Sequence, residues 1–314
     1  MTMTTTNLVA IDSNLSTAGG LVYWQLHGGV LHASLCAAWR EAGLEDAWLP
    51  APVTAETALR RALDELADRR TLVRPLEGRG SWAVVQEHVV DGELAHGTVL
   101  RAKLAVGGLD LRGADELAER VRVAYAAHRA ELSAADISLW LTRVMARLDA
   151  VTLRDRGGVY FVPADRVEVL RRVVGALREV SESVVYQIPA VRCDQAADAV
   201  LAAVEGEARA EIASIESYLA EDTEHGQRAL KTRVETIGQV REKVARYEEL
   251  FDRRLDSVRA GLAELRLRVA GLLVTAGAAA EGREGERVLE LDDRPAPAAP
   301  SPELDTGVRM LELD

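Results

Sequence analysis

The chain has 314 residues, 48% of them hydrophobic but only 4% aromatic, and carries a net charge of −12. That is enough apolar material for one or two packed domains, and the acidic balance argues against a general polyanion binder. Its two cysteines, Cys36 and Cys193, make neither a disulfide framework nor a zinc site.

Residues 1–20 read as a flexible N-terminus, and Met1–Thr6 lacks the basic-then-apolar layout of a signal peptide. Leu21–Leu26 is a short strand and Val30–Ala42 a helix with Leu31, Leu35 and Ala38 on one face. After the loop at Pro50 and Pro52, Thr54 caps a helix over Ala55–Arg69. Strands follow at Leu72–Leu76, Trp82–Val90 and Leu94–Val106, the last two joined by Asp91-Gly92. Helices then run over Ala114–Glu131 and, capped by Ser133, Ala134–Asp149. Thr71–Arg74 with Ser81–Val85, and Val151–Arg154 with Val159–Val162, each form a glycine-turned hairpin behind a helix. After Pro163 come a helix at Asp165–Val180 and a strand at Val184–Ile188. Together these elements predict an α+β head over residues 21–190, built from helix–hairpin units and winged-helix-like at best.

Asp194 caps a helix reaching about Glu221, and a polar turn, Asp222–Gly226, leads into a heptad repeat over Gln227–Leu272. Its d positions are Leu230, Ile237, Val244, Phe251, Val258, Leu265 and Leu272; its polar a positions, Gln227, Arg241 and Glu248, fall in the first half. The first helix holds seven acids and one base, the second eleven bases and seven acids. Opposite charge and a short turn predict an antiparallel, coiled-coil-like hairpin over 194–275. At 1.5 Å per residue the helices measure about 42 and about 70 Å, so the second overhangs the first. The overhang carries an apolar seam of Leu255, Val258, Leu262, Leu265, Val269 and Leu272. Its flanks, Arg254, Arg259, Arg266 and Arg268, disfavour symmetric self-pairing. The seam is therefore expected to meet the head, an acidic partner helix or the acidic tail.

Residues 276–314 read as a disordered acidic, Pro-rich tail. Within it Arg287–Asp292 recurs as Arg309–Asp314 with five of six positions identical. Two such peptides on one tether have the form of a bivalent docking motif, with Leu289, Leu291, Leu311 and Leu313 as its apolar residues.

No catalytic, cofactor-binding or metal-binding residues are assigned. The six histidines lack metal-site spacing, the glycine pairs lack the lysine and hydroxyl of a phosphate loop, and no nucleophile elbow is present. Arg143, Arg147, Arg154 and Arg156 would face nucleic acid if the second hairpin acted as a wing, although Asp149 and Asp155 intrude on that face. Lysine occurs only at residues 103, 231 and 243, and asparagine only at 7 and 14. This bias fits GC-rich codons, hence a high-GC bacterium or its phage. The expectation is a cytoplasmic, non-enzymatic interaction or scaffold protein with no cofactor, a protein partner and no membrane association. A winged-helix-like DNA-binding regulator is the alternative, and an enzyme without a recognisable motif the second.

Overall fold

The computed structural model describes residues 17–292 except 79, 91–92, 155–157 and 222–225. Among these, the chain divides into two compact units. The first takes the residues up to Ala208 together with Lys243–Leu255; the second takes Arg209–Glu242 and the residues from Asp256 onward. The division falls inside two helices.

The first unit is a mixed α+β body with antiparallel sheets. In chain order it contains β1 (Thr17–Gln25), β2 (Val30–Leu31), α1 (His32–Glu41), α2 (Ala55–Asp64), β3 (Thr71–Pro75), β4 (Ser81–Val90), β5 (Glu93–Ala105) and β6 (Gly108–Gly113). It continues with α3 (Asp115–Ala130), β7 (Glu131–Leu132), α4 (Ala134–Arg147), β8 (Val151–Thr152), β9 (Tyr160–Pro163), α5 (Val167–Val180) and β10 (Val184–Val191). One sheet has the order β10–β1–β9–β8 and another is the meander β3–β4–β5–β6. Strand β6 has no counterpart in the sequence reading, where its glycine-rich ends masked the alternation of Leu109 and Leu111.

Local chemistry sets the helix starts. The Thr54 hydroxyl accepts the Thr57 amide at 3.2 Å, capping α2. Ser133 and Asp136 form a reciprocal capping box at the start of α4. Asp136 also receives two bonds from Arg61, at 2.7 and 2.8 Å, tying α4 to α2. Helices α1, α4 and α5 pack over the first sheet, burying Trp39, Trp140, Val22 and Val162. The indoles of Trp39 and Trp140 meet edge-on at 5.5 Å and donate to the carbonyls of Glu45 and Trp48, so neither buries an unpaired N–H. A second core joins the meander to α2 and α3 through Leu59, Leu63, Val84, Leu100 and Val121, and Tyr125 packs against both cores.

Three helices complete the described residues: α6 (Asp194–Ala220), α7 (Gln227–Phe251) and α8 (Asp256–Asp292). In the second unit Arg233 of α7 lies over the Tyr218 ring of α6 at 4.7 Å. Gly261 of α8 sits where a Cβ would be 3.4 Å from Ile212 Cδ1, and Arg268 reaches Glu216 at 3.6 Å. This unit buries Ile215, Leu230, Ile237, Leu262 and Leu265.

The expected unbroken helix over 227–272 is thus corrected to two helices. Asp252 takes the left-handed conformation (φ 52°), and the Arg253 amide bonds the Glu248 carbonyl at 3.1 Å. That is the six-to-one bond of a Schellman cap. The carboxylate of buried Glu248 accepts the Leu255 amide at 2.7 Å, and Arg253 pairs with Asp194, at 2.7 Å, and with Asp198. Past Thr275 the helix continues where the sequence suggested a tail, because alanines follow and no proline occurs before Pro295.

Candidate functional site

The proposed seam is covered within the chain. Val258, Leu262, Leu265 and Val269 are each no more than 2% exposed; Leu255 is half-buried and Leu272 is 39% exposed. Four of the six seam residues are therefore buried and not bare. The tail leucines Leu289 and Leu291 fall in α8 by backbone, but their side chains, and the whole of Leu311 and Leu313, lie outside the described residues.

Among the described arginines assigned to the second hairpin, only Arg147 makes contacts that are resolved. Arg147 donates to the Ala47 carbonyl at 2.5 Å and lies 5.7 Å from the Trp48 ring centre. Arg143 and Arg154 are exposed, and Arg156 lies outside the described residues. Strand β9 pairs with β8 on one side and with β1 on the other, so it is an interior strand of its sheet.

A polar network instead surrounds the turn after α4. Asp149 takes a left-handed φ of 54°, and the Ala150 amide bonds the Met145 carbonyl at 3.0 Å, another Schellman closure. The Tyr247 hydroxyl donates to the Asp149 carbonyl at 2.8 Å. Lys243 donates to the Ala150 carbonyl and pairs with Glu207, both at 2.7 Å. Arg246 bridges Asp149 (3.3 Å) and Asp165 (2.6 Å). Burial, then the nearby carboxylates of Glu207, Asp149 and Asp165, push the Tyr247 phenol far above its ordinary range, so it stays a hydrogen-bond donor. Beside this network is a cavity of about 390 Å³ where Arg192 and Arg246 balance Asp165 and Glu249. The network acts as an anchor: the backbone acceptors it reaches are the Asp149 and Ala150 carbonyls of the turn that ends α4 and, at 3.5 Å, the Phe161 carbonyl of β9. Among the described residues no group of three or more His, Cys, Asp or Glu side chains could hold a metal ion.

An open apolar surface of this unit lies on β1 and β10. Register pairs Leu21 with Ile188, Tyr23 with Tyr186 and Gln25 with Val184, so these six share one face. The opposite face carries Val22 and Trp24 into the core. Phe161, paired with Leu21, is covered by Tyr247 and Phe251 of α7, each at 6.1 Å between ring centres. Beyond that cover Tyr23, Tyr186, Val184 and Ile188 remain 37–48% exposed. The two tyrosine rings stack at 4.7 Å. Strand β10 is an edge. Alternation at Leu21–Tyr23 and Val184–Ile188 was visible in the sequence, but the pairing of strands about 160 residues apart was not.

Residues 18–280 match a family described as a family of unknown function, DUF6744. The chain belongs to this family. The DUF6744 match runs from β1 into α8, so it takes in both four-stranded sheets and the β1–β10 face and stops short of the repeated tail peptide. No curated protein and no solved structure matches the chain. Among the described residues of this DUF6744 protein, no helix is long and apolar enough to cross a membrane.

Proposed function

We propose that this DUF6744 protein is a cytoplasmic, non-enzymatic interaction or scaffold protein whose contact surface is the open face of β1 and β10. The observation that carries the reading is the contiguous set Tyr23, Val184, Tyr186 and Ile188, all outward on neighbouring strands. An aromatic side chain buries 150–250 Å² when fully covered. Covering the exposed fraction of each tyrosine would remove roughly 80 Å² from water, or about 2 kcal/mol each. The β10 edge adds unpaired backbone groups that a partner strand could complete. In this reading the peptide repeated at Arg287–Asp292 and Arg309–Asp314 is a second docking element.

The test is quantitative comparison of cross-linked partners for the wild-type chain, Ile188→Glu with Tyr186→Lys, and a deletion of residues 281–314. Loss of the same partner in both variants is expected. A partner set unchanged by the sheet substitutions would overturn the surface assignment, and one unchanged by the deletion would overturn the tail's role.

A DNA-binding regulator is the second reading. One observation favours it: β9 pairs both with β8 and with the earlier β1, with α1 and α4 lying between β1 and β8 in the chain, an order compatible with a winged helix. Exposed Arg143 and Arg154 would supply phosphate contacts. The assay is a salt-dependent gel shift of the wild type against Arg143→Ala with Arg154→Ala; a shift indifferent to salt and to both changes eliminates it.

A further inference from the structure

Also in the first unit, α2 and α3 leave a groove of about 640 Å³. Ala62, Leu66, Val123 and Ala124 give it an apolar lining. Val123 is 63% exposed, in the middle of a helix whose inner face, Ala118 and Val121, is already packed. So Val123 is an apolar residue of α3 that its own core does not use, standing beside the outer edges of Leu66 and Ala124.

The rim has a definite sign. Glu65, Glu116 and Glu119 line the groove against a single cation, Arg120. Glu65 meets His128 at 2.7 Å and Glu119 pairs with Arg122, a neighbour outside the lining. Glu116 has no partner among the described residues. The chain as a whole is at −12, which adds to the local field. Nucleic acids and anionic lipid surfaces are both repelled by such a rim. A cation carried on an apolar body is attracted.

We infer that the α2–α3 groove is a docking site for a cationic amphipathic helix of a partner protein. Two helices side by side form a trough into which a third packs its ridge. The lining on α3 spans Glu116 to Ala124, about 12 Å at 1.5 Å per residue. That length accommodates two turns of a partner helix, with large apolar residues at i, i+3 or i+4 and i+7 over Leu66 and Val123, and Lys or Arg on its flanks toward the glutamates. This site is separate from the β1–β10 face and does not depend on it.

The experiment uses the full chain and a fluorescent synthetic 14-residue helix of leucine and lysine with all leucines on one face. Two controls accompany it: the same residues scrambled to destroy the apolar face, and the same pattern with glutamate for lysine. Anisotropy is read at about 0.15 M salt, where charge attraction beyond about 8 Å is screened. The amphipathic cationic peptide is expected to bind at least ten-fold tighter than either control. Val123→Asp and, separately, Glu116→Lys with Glu119→Lys should each weaken it ten-fold or more. Both alter exposed side chains, and unchanged circular dichroism and melting temperature would confirm that the fold is intact. Tyr186→Lys should leave the peptide's affinity unchanged, which separates this site from the sheet face. Equal binding of the scrambled peptide, or indifference to Val123→Asp, would show that only net charge is sensed and would overturn the proposal, as would no binding at all.

Discussion

Replacing Asp136 by asparagine removes one negative charge while keeping the side chain's shape and its capacity to cap α4. In the wild type the two bonds from Arg61, followed by those from Ser133, outweigh burial and hold the Asp136 carboxyl at about 2, below its ordinary 3.8. The side chain is 27% exposed, so solvent screens the pair only in part. The folded pKa is depressed. The stability it contributes is therefore fully present above the unfolded value of 3.8 and is lost as pH falls toward about 2. A shift of nearly two units corresponds to about 2 kcal/mol at neutral pH, falling to about 1 kcal/mol at about pH 3. Urea denaturation of the wild type and Asp136→Asn at about pH 7 and about pH 3 reads this directly. The gap between the two proteins should shrink by about half. A gap equal at both pH values, or below about 0.5 kcal/mol at pH 7, would refute the assignment of the ion pair as a clamp between α2 and α4.

Tyr247→Phe should cost about 1–2 kcal/mol in chemical denaturation, because the Asp149 carbonyl loses its buried donor. The raised phenol also contributes stability that is present below about pH 10 and lost above it, so in tyrosinate absorbance the folded chain should ionise one tyrosine fewer than the unfolded one. Asp252→Gly should raise the melting temperature, gaining about 0.5–1 kcal/mol by removing a left-handed β-carbon, whereas Asp252→Val should lower it. Leu265→Ala should cost about 2–5 kcal/mol. Leu267→Ala, two positions on in α8 but 75% exposed, should stay within about 0.5 kcal/mol; equal losses would contradict the way α8 packs.

Helix starts and local strands were legible in the sequence wherever the chemistry is local. Thr54 and Ser133 identify their caps by type and spacing, and glycine or Asp-Gly turns separate the strands of both helix–hairpin units. Contacts between distant segments were not legible. Nothing in Thr17–Gln25 says that it will lie between Tyr160–Pro163 and Val184–Val191, and so the shared face of Tyr23 and Tyr186 could not be anticipated. The break after Phe251 is an instructive intermediate case. Its signal was present: Glu248 is a charged residue at a heptad core position, and it turns out to satisfy the Leu255 amide. Periodicity alone counts it as a weak core position rather than as a cap, because the apolar register passes through the break without a step.

That unbroken register has a mechanical consequence. Val244, Phe251, Val258 and Leu265 keep seven-residue spacing across Asp252, so the same seam would line a straight α7–α8 rod of about 100 Å at 1.5 Å per residue. One left-handed residue, held by Glu248 and the Arg253 ion pairs, ends α7 before α8 begins. The sequence specifies which side chains can share one seam; the torsion at a single aspartate specifies that two helices, not one, carry it.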